Sequence, residues 1–299
     1  MKHLIRLISG IVDLGLIACF LLLLLFGGYA IWDDQQIYSG AGSSLYESYK
    51  PEAEEAGISF SELTALNPDV LGWITIYGTG VDYPLVQGET DDDYINTDVY
   101  GQFTLSGSIF LASSNARDFS DFNTIIYGHH MDQSKMFGDV DKFEDEAFFE
   151  SHEYGDLFYG GQHHGLRFFA YVEGDAYDFK LYENKLEGTE AKLSYLTYIR
   201  GLAKHLRDVE IGEDDHIVML STCADAMTNG RYVLFGLITD ETYENPYPET
   251  EAPMISRMLS GTALTGRERY LICGVSLVLV LICIGMIFRL VRKRQKGRE

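Results

Sequence analysis

Cysteine is scarce in this 299-residue chain: there are four, Cys19, Cys223, Cys273 and Cys283. Three lie in long apolar runs, where a thiol passes as a small hydrophobe. Cys223 is thereby left without a partner in the rest of the chain, which excludes a disulfide-stapled scaffold. Cations are scarce in the middle of the chain. Residues 33–266 hold 13 of the 23 Lys and Arg but 42 of the 45 Asp and Glu, a net −29. Such a surface repels phosphate backbones, so nucleic-acid binding is excluded as a function class. Internal repeats and low-complexity tracts are absent. With 46% hydrophobic and 13% aromatic residues, a long disordered protein is excluded too.

Long uncharged apolar runs are present. Leu14–Trp32, "LGLIACFLLLLLFGGYAIW", and Tyr270–Phe288, "YLICGVSLVLVLICIGMIF", are 19 residues each. At 1.5 Å per residue each reaches across a hydrocarbon core of roughly 30 Å. A cleaved signal peptide is the alternative for the first; its length and the lack of a clean small-x-small site favour an uncleaved signal anchor. Lys2 and Arg6 precede the first run, and "RLVRKRQKGRE" follows the second. The positive-inside rule then predicts a cell-membrane protein with two spans, both termini cytoplasmic and the acidic middle extracellular. The expected parts are a cytoplasmic N-terminus (1–13), a signal anchor (14–32), a stalk (33–59), a catalytic domain (60–245), a linker (246–269), a transmembrane helix (270–288) and a basic cytoplasmic tail (289–299).

Within the middle, Ser59 and Glu62 have capping-box spacing, and Asn67-Pro68 ends the helix that they predict. Short β-like runs follow: "WITIYG" (73–78), "DYPLVQG" (82–88), "GSIFLAS" (107–113) and "NTIIYGHH" (123–130). Residues 136–152 read as short helical turns. A hairpin is expected over 155–174, with Gly160-Gly161 and Gly165 around its turn. Residues 188–207 read as a helix whose apolar face is Leu193, Leu196, Ile199 and Leu202–Ala203. The last pair is "HIVMLSTCA" (216–224) and "RYVLFGLITD" (231–240), joined by a short loop. The pattern predicts one mainly β domain, closed or nearly closed, with peripheral helices.

This arrangement puts Cys223 at the end of one strand and Arg231 at the start of the next. An unpaired thiol facing an oxidising exterior is either buried or used. A nucleophilic cysteine needs a proton acceptor and donor beside it. Among the eight histidines, His152, His205 and His216 read as surface residues, and His163-His164, in the hairpin turn, lacks the further ligands a metal needs. His129-His130 closes an apolar strand after Gly128, a position at which a barrel presents functional groups on its rim; a structural histidine is the alternative. Arg231 reads either as a surface arginine or as a fixed donor to a developing oxyanion. "ETDDDY" (89–94) lacks the spacing and glycine of a calcium loop and reads as a solvated acidic turn.

The order His…Cys…Arg discriminates among cysteine enzymes. Papain-like enzymes place the cysteine first, caspase-like enzymes carry a QAC signature absent here, and L,D-transpeptidases use an S-x-G-C-x-R pattern. Here "LSTC" (220–223), Arg231 and the upstream "YGH" (127–129) resemble the sortases, membrane-anchored cysteine transpeptidases of Gram-positive bacteria. "NPDVLGWITIYGTGVDYPLVQG" (67–88), "GSIFLAS", "IIYGHHM…MFGD" (125–139) and the helical insertion near 188–207 resemble class B, over about residues 60–240.

The resemblance implies an eight-stranded, closed sortase β-barrel, flanked by the two membrane helices, with Cys223 as nucleophile, His129 as general acid and base, and Arg231 as oxyanion donor. His130 is then a neighbour of the catalytic histidine. Asn96, Tyr127, Ser221 and Thr222 match positions that line the substrate groove, and Asp225 in the following loop is expected to influence substrate choice. No cofactor or metal is implied. The implied partners are exported surface proteins with an NPxT-like C-terminal sorting signal, and an amine on lipid II or on a pilin as acceptor. The C-terminal span departs from the usual class B plan and is commoner in pilus-building class C enzymes, yet no class C lid motif lies in 33–60. An L,D-transpeptidase or cysteine peptidase, and a non-enzymatic surface domain with an inert cysteine, are the rival readings.

Overall fold

The computed structural model describes residues 2–51, 56–224 and 229–247. Its helices are α1 (Lys2–Gly40), α2 (Ala56–Leu66), α3 (Glu146–Ser151) and α4 (Thr189–Leu202). Its strands are β1 (Val70–Ile76), β2 (Asp82–Val86), β3 (Ile109–Leu111), β4 (Asn123–Tyr127), β5 (His130–Met131), β6 (Lys135–Met136), β7 (Tyr154–Tyr159), β8 (Gln162–Asp175), β9 (His205–Leu206), β10 (His216–Cys223) and β11 (Gly230–Thr239).

The main sheet runs β11-β10-β4-β3-β2-β1-β7-β8-β9, and β11 also pairs with β8. That extra pairing closes an eight-stranded barrel and leaves the two-residue β9 as an appendage of β8. Closure needs one strand long enough to serve two neighbours. β11 pairs with β10 along one edge over Arg231–Ile238 and with β8 along the other over Gly230–Thr239. β8 accommodates the bend with a bulge, where Phe169 is skipped between Ala170↔Phe235 and Phe168↔Gly236.

β10 reads as a continuous apolar run because both its faces are covered. Val218 and Leu220 join the barrel interior with Trp73, Phe168, Tyr171 and Leu234. Ile217 and Met219 join a second core beneath α4, with Phe169, Phe235, Tyr195, Leu196 and Ile199.

Several local expectations change. α4 stops at Leu202, and Ala203 turns extended so that His205-Leu206 can add to β8. Its buried positions are Tyr195, Leu196 and Ile199, while Leu193 is 47% and Leu202 39% exposed. Ser59 lies inside α2, not at its N-cap. The β7–β8 turn is Gly160-Gly161 alone, both at positive φ (61° and 80°). Gly165 belongs to β8, where a Cβ would fall 2.1 Å from the Glu241 carbonyl oxygen. His152 is buried, not on the surface: its ring stacks on Phe148 at 3.6 Å and on Tyr247 at 4.6 Å.

Two flanking segments dock on the barrel. Within the expected stalk, Ala41 and Tyr46 are buried and Lys50 pairs with Asp82 at 2.6 Å. After β11, Tyr243 stacks on Tyr154 at 4.1 Å and accepts a hydrogen bond on its carbonyl from Tyr77, while the Tyr247 hydroxyl donates to the Ser151 carbonyl. α1 contains the first apolar run. Among the described residues no helix is long and apolar enough to cross a membrane. The apolar run at 270–288, the basic tail, most of the linker and Asp225 lie outside the described residues.

One buried polar anchor ties the α4 layer to the barrel. The Tyr195 hydroxyl accepts from Asn123 at 2.7 Å and donates to the Leu181 carbonyl at 2.7 Å. Tyr195→Phe leaves that carbonyl without its donor in a dry site and is expected to cost about 1–3 kcal/mol in urea unfolding. An unchanged midpoint and slope contradict this role.

Candidate active site

The site is built at one end of β10. On one side β10 runs parallel to β4, with Ser221 opposite Tyr127 as the last matched pair. The Gly128 amide extends that ladder by donating to the Ser221 carbonyl at 3.2 Å. His129 and Cys223 each follow two residues beyond the matched pair on adjacent strands. On the other side β10 runs antiparallel to β11, with Cys223 directly opposite Arg231. Paired residues share a face of a sheet, so the thiol and the guanidinium project together. The central strand therefore carries the cysteine, and its two neighbours deliver a histidine and an arginine to the same end.

Cys223 is exposed. Gly230 fixes the arginine beside it: its carbonyl accepts from Ala224 N at 2.9 Å and from Arg231 Nη1 at 3.0 Å. The amide that follows the cysteine is thus occupied, and the remaining guanidinium N–H groups are the donors pointing onward. Among the described residues no carboxylate pairs with Arg231.

His129 is held by two contacts. Its carbonyl accepts from Phe137 N at 3.0 Å, and its Nε2 lies 2.8 Å from the Ile95 carbonyl. A carbonyl only accepts, so Nε2 carries the hydrogen and Nδ1 is the nitrogen left to exchange protons. His130 is engaged elsewhere, with Nε2 3.0 Å from Asp141 Oδ2.

The wall beside these groups is aromatic. Tyr127 packs against Phe110 at 5.5 Å and stacks with Tyr182 at 6.3 Å. The Tyr182 hydroxyl shares a hydrogen bond of 2.9 Å with Ser221 Oγ. Burial raises the pKa of the Tyr182 phenol; Cys223 pushes the same way, while the Ser221 hydrogen bond and Arg231 oppose it. Burial likewise raises that of Tyr127, reinforced by Asp91 and Tyr182 and opposed by Arg231. Both phenols stay neutral donors.

Of the residues expected in the groove, Tyr127 is half-buried and Asn96 is exposed next to Ile95. Ser221 and Thr222 are buried, at 1% and 2% exposure. Alternation along the strand turns Thr222 to the face opposite Cys223. Tyr182 went unnoticed in the sequence. It sits in an irregular stretch between β8 and α4 that long-range contacts hold over β10, among them Asn123 Nδ2 donating to the Glu183 carbonyl at 3.0 Å and Asn184 Nδ2 to Ser114 Oγ at 2.7 Å. In the acidic turn, Asp91 Oδ1 accepts from Ser113 N at 2.6 Å and Asp93 Oδ2 from Thr90 N at 2.9 Å.

No family model matches the chain. Sortase B of Listeria monocytogenes is 33% identical over 162 residues, 54% of this chain and 65% of that protein. Sortase B of Staphylococcus aureus is 31% identical over 176 residues, 56% of this chain and 68% of that protein. The chain belongs to the class B sortases. The crystal structure of sortase B from the type II pilus of Streptococcus pneumoniae is 44% identical and superposes with a TM-score of 0.54, over 61% of this chain and 99% of that one. The chain therefore spans just under two thirds of the Listeria protein and nearly all of the solved pneumococcal barrel. The sortase barrel is the eight-stranded ring described above.

In this sortase Gly128 is the hinge between the β4 ladder and His129. A Cβ there would fall 2.5 Å from Ile109 Cδ1 and 2.8 Å from the Phe137 ring. Gly128→Ala is expected to lower thermal stability by about 1–3 kcal/mol through overpacking. A variant that melts like wild type would show that the rim yields freely.

Proposed function

We propose that this sortase is a membrane-tethered cysteine transpeptidase that cleaves an NPxT-like sorting motif of exported proteins and passes the acyl group to an amine. The observation that supports this most is the position of Cys223 between β4, which delivers His129, and β11, which delivers Arg231. His129 Nδ1 takes the thiol proton as the sulfur attacks the threonine carbonyl, and the C–O electrons move to oxygen. Arg231 donates hydrogen bonds to that oxyanion, an effect on the order of 3 kcal/mol. The C–N bond breaks, and His129 protonates the leaving amine through Nδ1. A second amine then attacks the thioacyl carbon, His129 takes its proton, and the thiolate leaves. No metal or cofactor takes part in this scheme.

Tethering fits the exposed side chains of α1. Leu21–Phe26 are each more than half exposed, a continuous apolar surface that a bilayer would cover. With the apolar run at 270–288 as a second span, the groove is held where exported substrates with hydrophobic tails pause, raising their effective concentration. The acceptor is an amine of the cell-wall precursor. A pilin lysine is the second reading, favoured by the 44% identity to the sortase B from a pneumococcal type II pilus.

The test uses the full chain in detergent with quenched peptides spanning NPxTx and LPxTG, with and without an amine acceptor. Cleavage after threonine is expected. Cys223→Ala should abolish it, and His129→Ala and Arg231→Ala should each lower kcat on the order of 10²–10³-fold. Undiminished cleavage by Cys223→Ala would rule the mechanism out.

A further inference from the structure

His129 is oriented by groups that come from two different segments. The Ile95 carbonyl, on Nε2, belongs to the loop between β2 and β3. The Phe137 amide, on the histidine carbonyl, follows the β5–β6 hairpin. That hairpin does not hold itself. Gln133, Ser134 and Met136 all sit at positive φ (61°, 57° and 51°), which non-glycine residues adopt only when their surroundings impose it.

The surroundings include the segment after α1. The buried Tyr83 hydroxyl accepts from Met136 N at 3.0 Å and donates to the Ala41 carbonyl at 2.8 Å, so one phenol joins the hairpin to the N-terminal segment. Five residues on, Tyr46 packs its ring on Tyr100 of the β2–β3 loop at 5.6 Å. That loop presses closely on the Ile95 carbonyl: at Gly107, with φ +58°, a Cβ would lie 2.2 Å from it. The junction of Ala41, Tyr46, Tyr83 and Met136 leaves a void of only about 10 Å³. Lys50, paired with Asp82, closes the far end of the segment.

We infer that the segment Ala41–Lys50, clasped by Tyr83, is a positioning element for His129, so that docking of the chain next to α1 sets how well the histidine transfers protons. This rests on the catalytic reading of His129 given above. Tyr83 and the segment touch no reacting atom; they act through the two contacts that orient the ring.

The test compares full-chain wild type, Tyr83→Phe and Lys50→Met, measuring kcat and KM for the best sorting peptide and the melting temperature. Tyr83→Phe keeps the buried ring and removes only the clasp. It should lower kcat on the order of tenfold with KM unchanged, because a small misplacement of a catalytic group costs turnover rather than binding. Lys50→Met should shift kcat in the same direction by less. If Tyr83→Phe does not fold, Lys50→Met decides. Folded variants with wild-type kcat, or with kcat and KM changed together in step with stability, would overturn the proposal. A wild-type chain that cleaves no peptide refutes the catalytic reading instead.

Discussion

The parallel pairing of β4 with β10 is the constraint on which the rest of this structure depends. It holds in place an apolar strand that is covered on both faces, with the barrel interior on one and the α4 layer on the other. Two-sided burial also fixes register. A one-residue slip of β10 would move Val218 and Leu220 out of the barrel and bring Ile217 and Met219 in. The same slip would turn Cys223 inward and expose Thr222. The core's demand for a unique register and the site's demand for an outward thiol are therefore one demand.

Much of this was legible in the sequence because strands buried on one or both faces leave strong signatures. The runs around 73–78, 82–88, 123–130, 216–224 and 231–240 all became barrel strands, and the double glycine at 160–161 made the hairpin turn. What escaped was set by long-range contacts. Ala203 leaves the helical path because β8 offers an edge at Ala170 and Tyr171 that His205-Leu206 can pair with. His152 reads as polar by composition, but two aromatic rings enclose it, one of them from a residue 95 positions later. At the site, Cys223, His129 and Arg231 were visible as strand-end residues. Tyr182 was not, because the stretch from Ala176 to Gly188 has no period. Its place over β10 is set by long-range contacts such as the Asn123 amide on the Glu183 carbonyl, 60 residues apart in sequence.

His129 shows how a barrel rim can orient a histidine ring through a main-chain carbonyl. The partner of Nε2 is a main-chain carbonyl, a neutral acceptor that selects the tautomer with the hydrogen on Nε2. The nearest histidine in sequence shows the contrast: His130 faces Asp141 across 3.0 Å. Two adjacent histidines at the entry to one short hairpin thus meet different chemistry, a carbonyl for one ring and a carboxylate for the other.

The strap after β11 has a mechanical consequence. β11 carries Arg231, closes the barrel, and continues directly into the strap that leads to the C-terminal part of the chain. Tension applied along that part of the chain would reach Tyr247 on His152 and Tyr243 on Tyr154 before it reached the strand. The Tyr77 and Ser151 hydrogen bonds hold the same two residues. Without them the load would peel β11 from β8 one hydrogen bond at a time, starting at Thr239. Two ring stacks and two hydrogen bonds therefore stand between the C-terminal part of the chain and the strand that carries Arg231.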